Sequence, residues 1–155
     1  MMRIMFVCYG NICRSPSAEI IFRDMVEKAG LSDRFVIASS ATSTEEIWNG
    51  VGNPVYGPMA RELESHGYTV GDKRAVQLQR SDYDKYDMFI GMDSSNIRNM
   101  KRMLGGDPEG KIRRMMDFTD RGGDVSDPWY SRDFAAAFRD ICDGCRGLFE
   151  ATTGK

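Results

Sequence analysis

Arg3-Ile4-Met5-Phe6-Val7-Cys8-Tyr9-Gly10-Asn11-Ile12-Cys13-Arg14-Ser15-Pro16 stands at the head of the chain. Arg3 to Val7 is a short apolar run with no polar alternation, the pattern of a strand buried on both faces. A polar, glycine-containing loop follows, from Cys8 to Ser15. A helix of about fifteen residues is predicted next, with Ile20, Ile21, Phe22 and Met25 as its apolar stripe. Ser15 is placed to cap it, Pro16 suits the first helical position, and Gly30 can close it. A buried strand passing through a tight loop into a helix is the first half of a βαβ unit, and that decides the fold class.

The same alternation continues outward. Phe35 to Ala38 reads as a second strand, followed by a loop from Ser39 to Pro58 and a helix from Met59 to His66 that stops at Gly67. Met88 to Met92 reads as a third strand. It enters Asp93, a good N-cap for a helix ending near Gly105. Ile112 to Met116 reads as a fourth strand, and a loop from Asp117 to Tyr130 leads to a last helix from Asp133 to Glu150. The expected architecture is α/β: a single domain over residues 1–155, with a four-stranded parallel twisted sheet and helices on both faces. In such sheets ligands bind beyond the carboxyl ends of the strands. Cys8 and Asp93 both fall there.

Composition narrows the function. The 155 residues are 41% hydrophobic and 28% charged, as in globular domains. A net charge of −2 leaves no basic footprint for nucleic acid. No apolar run approaches bilayer length, and no secretory signal is visible, so a cytoplasmic protein without membrane contact is expected. The four cysteines (Cys8, Cys13, Cys142 and Cys145) read as reduced thiols. With one histidine, His66, no histidine-based metal site is expected, nor is a cofactor. Cys142 and Cys145 fit helical surface or core thiols better than zinc ligands. The cluster of Arg98, Lys101, Arg102, Lys111, Arg113 and Arg114 fits a solvated surface.

The chemistry is in the first loop. C-x5-R is a weak pattern alone, but here the cysteine follows a buried strand and the arginine precedes a helix. A loop wrapping into a helix start points several backbone N–H groups at one spot, which makes an anion site. Gly10 and Asn11 both tolerate the positive φ of a wrapped loop. Arg14 adds a planar fork for two phosphate oxygens. The same field favours a Cys8 thiolate, a nucleophile at neutral pH. Ser15 can donate a hydrogen bond to its sulfur.

This segment resembles the active-site loop of the low-molecular-weight protein tyrosine phosphatases, in which a strand and C-x5-R-S-P stand at the N-terminus. Asp127-Pro128-Trp129-Tyr130 resembles that family's second motif, Asp-Pro followed by aromatics. The resemblance implies Cys8 as nucleophile, Arg14 as phosphate ligand and Asp127 as general acid. It further implies a phosphate-binding loop of Tyr9, Gly10, Asn11, Ile12, Cys13 and Ser15, with Trp129 and Tyr130 flanking an aryl substrate. Asp93 matches an aspartate that contacts the loop arginine. Ser39 matches a serine in the network around Asn11, with Ser40 adjacent as the other candidate. Where the family often has a histidine in that network, this chain has Lys73. Cys8 and Cys13 match a pair able to form a reversible disulfide. Trp48 is a candidate for the pocket wall. The implied partners are phosphotyrosine-containing proteins, with the chain a monomer or weak homodimer.

Three other functions compete. An arsenate reductase on this scaffold relays oxidising equivalents through further cysteines, and none lies between Cys13 and Cys142. Phosphoarginine phosphatases tend to carry threonine where Ile12 stands. An inactive phosphoprotein-binding module would not require the acid.

Overall fold

The computed structural model describes residues 1–154. Four strands form one parallel sheet: β1 (Met2–Cys8), β2 (Phe35–Ala41), β5 (Met88–Gly91) and β6 (Ile112–Arg114), in the order β2-β1-β5-β6. A two-stranded hairpin, β3 (Ile47–Trp48) and β4 (Val51–Gly52), stands apart from it. The helices are α1 (Arg14–Lys28), α2 (Gly57–Ser65), α3 (Ser94–Leu104), α4 (Pro128–Ser131) and α5 (Phe134–Thr153). No helix among the described residues is long and apolar enough to cross a membrane.

β1 explains the layering. Successive side chains of a strand face opposite ways. Ile4, Phe6 and Cys8 enter the larger core with Ile21, Phe22 and Val26 of α1 and Ile141, Cys145 and Leu148 of α5. Met5 and Val7 enter a second core with Phe89, Met100, Leu104 and Ile112 on the α3 side. Both faces are therefore covered, which is why β1 carries no polar alternation. Phe22 makes edge-on contacts with Phe6, Phe35 and Phe149, with ring centroids 5.8, 5.5 and 6.4 Å apart.

From β1 the chain crosses through α1 to β2 on one side, while β5 pairs with β1 on the other. The crevice between β1 and β5 is thus a topological switch point, where open α/β sheets bind ligands. Cys8 ends β1, and Asp93 lies two residues beyond β5. Asp93 caps α3: its Oδ1 accepts from Asn96 N at 2.8 Å, and Asn96 Oδ1 accepts from Asp93 N at 3.1 Å.

Some local expectations are corrected. α1 begins at Arg14, so Ser15 sits inside the first turn and its hydroxyl faces the loop instead of capping the helix. Met115 and Met116 leave the sheet in a 3-10 turn, Met115–Phe118, because their buried side chains pack under α5. The stretch from Ser39 to Pro58 is not all loop: β2 extends to Ala41, and the hairpin occupies residues 47–52. α5 lies close against the 115–118 turn. A Cβ on Gly144 would meet the Met115 side chain, and one on Gly147 would meet the Phe118 carbonyl.

Candidate active site

The sulfur of Cys8 sits at the floor of a pocket of about 540 Å³ lined by residues 8–14, Glu45, Glu46, Asp93, Asp127, Trp129 and Tyr130, among others. Asn11 N and Ser15 N point at it from 3.3 and 3.4 Å, and Ser15 Oγ lies 2.9 Å away. Two backbone N–H groups and one hydroxyl thus converge on a single buried sulfur.

The loop is shaped from beneath. Asn11 adopts φ 59°, in the left-handed region. Gly10 does not, so the asparagine alone supplies the wrap. Asn11 is held there by its side chain. Its Nδ2 donates to Ser15 Oγ at 2.8 Å and to Ser39 Oγ at 3.0 Å, and its Oδ1 accepts from Val76 N at 3.0 Å. Ser39 Oγ donates to Glu19 Oε1 at 2.5 Å. The network serine is therefore Ser39, while the Ser40 hydroxyl is buried with no partner. Lys73 Nζ donates to the Ser39 carbonyl at 3.0 Å and lies 3.9 Å from Glu19 Oε1. Burial pulls the Lys73 pKa down, against the opposing pull of Glu19. The position therefore delivers a cation to Ser39 and Glu19 from outside the loop.

Arg14 is almost fully buried. Its Nη2 pairs with Asp93 Oδ2 at 2.9 Å and lies 3.6 Å from Asp127 Oδ2, and its Nη1 donates to the Val125 carbonyl at 3.3 Å. Burial alone would lower its pKa, but Cys8, Asp93 and Asp127 together raise it, so the guanidinium stays charged. Asp127 also caps α4, its Oδ1 accepting from Trp129 N at 3.0 Å. Trp129 and Tyr130 are largely exposed along one rim, and Tyr56 backs Trp129 with ring centroids 6.0 Å apart. Cys13 is half-buried in the same loop, and desolvation together with the Cys8 charge pushes its pKa up to about 12. Cys8 and Cys13 are both free thiols.

The fold thus brings together Cys8, Arg14, Ser15, Asp93, Asp127, Trp129 and Tyr130, drawn from the start, the middle and the last third of the chain. It does not bring in Trp48, which stands on the hairpin outside the pocket lining. The sequence reading passed over Glu45 and Glu46 at the mouth. It also passed over Glu19, although a carboxylate one turn beyond Ser15 on the buried face of α1 is a visible signal.

Residues 3–155 match the family described as low molecular weight phosphotyrosine protein phosphatase. The chain belongs to this family. A Bacillus subtilis relative, the low molecular weight protein-tyrosine-phosphatase YfkJ, is 35% identical over 150 residues, covering 96% of this chain and 94% of its own. Its crystal structure superposes with a TM-score of 0.92 over 99% of this chain and 96% of that one, at 33% identity. A Saccharomyces cerevisiae low molecular weight phosphotyrosine protein phosphatase is 37% identical over 148 residues, 89% of this chain and 87% of its own. A Drosophila arginine phosphatase shares the fold, with a TM-score of 0.86 over 98% of each chain at 24% identity. The low molecular weight phosphatase family makes this chain a hydrolase of the phosphotyrosine phosphatase kind.

Proposed function

We propose that the protein hydrolyses phosphotyrosine and other aryl phosphate monoesters through a phosphocysteine intermediate on Cys8, without a metal. The observation that carries this is the convergence of two backbone N–H groups and the Ser15 hydroxyl on the Cys8 sulfur, with Arg14 and Asp127 in the same pocket.

The reaction has two displacements. The Cys8 thiolate attacks phosphorus, the S–P bond forms, and the P–O bond to the phenol breaks. Asp127 gives its proton to the departing oxygen. Arg14 and the loop amides bind the equatorial oxygens, where charge is spread in the transition state. Asp127, now a carboxylate, then takes a proton from water as the water oxygen attacks phosphorus. The S–P bond breaks and phosphate leaves. Ser15, already hydrogen-bonded to the sulfur, stabilises the thiolate as it departs. Asp93 holds Arg14 in place, and Asn11, through Ser39 and Glu19, holds the loop.

Aliphatic Ile12 and the Trp129–Tyr130 rim favour an aromatic leaving group over a guanidine. Arsenate reduction would need a relay through further thiols, and Cys145 on α5 is fully buried with its sulfur on the Ala18 carbonyl. One phosphatase domain over residues 1–155, acting in the cytoplasm as a monomer or weak homodimer on phosphotyrosine proteins, completes the reading.

The test is turnover of para-nitrophenyl phosphate at mildly acidic pH with a chelator present. Wild type should turn over normally and Cys8→Ser should show none. Loss of wild-type activity in chelator, or activity surviving in the variant, would remove the mechanism.

A further inference from the structure

We infer that Asp140 of α5 is a positioning residue for the general acid: its carboxylate holds Ser126, the residue before Asp127, and Arg121 braces that carboxylate from outside. The inference rests on the reading of Asp127 given above.

Asp127 stands between two stretches of chain with little hold on its position. After it comes α4, only four residues long. Asp127 Oδ1 accepts from Trp129 N at 3.0 Å, and the Asp127 carbonyl accepts from Tyr130 N and Ser131 N at 3.2 Å. Those bonds are internal to residues 127–131, so they shape the turn without placing it. Before Asp127 the chain passes through Gly122 and Gly123, with successive φ of 65° and 80°. Two glycines in a row give that stretch little stiffness of its own. The place of the acid therefore depends on what holds residues 125 and 126.

Val125 N donates to Met92 O at 2.8 Å, and Val125 O accepts from Arg14 Nη1 at 3.3 Å. Ser126 N donates to Asp140 Oδ2 at 2.9 Å. The other oxygen of the same carboxylate, Oδ1, accepts from Arg121 Nη1 at 2.9 Å. One side chain thus grips both ends of the 121–126 loop. A carboxylate makes a stronger bond to a backbone N–H than a neutral acceptor does. Asp143, three residues along α5, is a near neighbour of like charge. Arg121 forks between the two, with Nη2 at 2.6 Å from Asp143 Oδ2, and Arg146 also pairs with Asp143. The Asp140 side chain is 16% exposed and that of Arg121 53%. The bond to Ser126 is therefore the sheltered half of the clamp, and the bridge to Arg121 is the half that salt can screen. Neither residue lines the catalytic pocket, so loss of the clamp should be felt first at the acid.

The experiment measures kcat/KM, which covers the steps up to P–O cleavage, on phenyl phosphate and on para-nitrophenyl phosphate. The ratio of the first to the second reports how well a poor leaving group is protonated. Asp127→Asn is the reference and should lower the ratio most. Asp140→Ala should lower it about tenfold, since a misplacement of ~1 Å can cost up to about 10²-fold in rate. Asp140→Asn, which keeps an oxygen for Ser126 N, should retain most of the wild-type ratio. In Asp127→Asn/Asp140→Ala the ratio should equal that of Asp127→Asn alone, because the clamp then has no acid to place. Arg121→Gln alters an exposed side chain and should lower the ratio about twofold; it carries the test should Asp140→Ala fold poorly. An unchanged ratio in Asp140→Ala, or in Arg121→Gln where the alanine variant is unfolded, would overturn the inference and leave the phosphatase reading intact. So would losses that simply multiply in the double variant. An unchanged ratio in Asp127→Asn, or failure of wild type to cleave either ester, would overturn both.

Discussion

The floor and the wall of the pocket are built in opposite ways. The floor, Cys8 to Ser15, rests on a buried polar network in which Asn11, Ser15 and Ser39 are each 2% exposed or less. Every polar atom of the Asn11 side chain has a partner. The wall, Asp127 to Tyr130, is a single short helix turn whose aromatics face solvent, with Tyr130 85% exposed. It is tied down by backbone bonds such as Val125 N to Met92 O at 2.8 Å, and by Ser126 N to Asp140 Oδ2 at 2.9 Å. The difference follows from what each part handles. The floor must present fixed donors to a phosphoryl group, and reorganising them during reaction would cost rate. The wall must admit and release leaving groups of different shapes, so only its carboxylate needs a fixed place.

The largest effect should come from the wall. Asp127→Asn is expected to lower kcat on a poor leaving group such as phenyl phosphate by on the order of 10²–10⁴, and on para-nitrophenyl phosphate by much less, with little change in stability. An equal loss on both substrates would take Asp127 out of the acid role. Asn11→Ala is expected to act on the fold as well as on rate. It leaves Val76 N and the serine hydroxyls short of a partner and puts alanine in a left-handed conformation. Denaturant unfolding should show a loss of about 2–4 kcal/mol, alongside a fall in kcat/KM. If Asn11→Ala proves no more destabilising than Asp127→Asn, the contrast between a braced floor and a loosely tied wall fails. The smallest effect is chemical. Cys13, with its pKa pushed up to about 12, should stay protonated at neutral pH and react with iodoacetamide only as pH climbs towards that value. Peptide mapping after brief labelling at pH 7 should find Cys8 alkylated and Cys13 intact. Labelling of Cys13 at pH 7 would mean that the floor opens readily.

The two halves also differed in how far the sequence revealed them. Cys8, Arg14 and Ser15 lie within one short segment, and Asp127-Pro128-Trp129-Tyr130 within another, so short motifs expose both. The parallel sheet was equally visible, because strands buried on both faces lack alternation. The support beneath the floor was not, because it is long-range. Val76 N reaches Asn11 across 65 residues and Ser39 reaches it across 28, through backbone groups and hydroxyls that leave no periodic trace. The hairpin is a different case. Asn49-Gly50 is a strong turn signal, passed over because the strands beside it are only two residues long.

The glycines of α5 carry a consequence far from the sulfur. Gly144 and Gly147 let the helix lie almost in backbone contact with the 115–118 turn, and the same helix holds Ser126 through Asp140. The helix is therefore a lever arm whose pivot has no slack. A single added methyl at either glycine would push its axis away from the turn and shift the Ser126–Asp127 segment with it. Substitutions there would disturb the Asp127 segment first and, through the packing of α5 on α1, the helix that carries Arg14 as well.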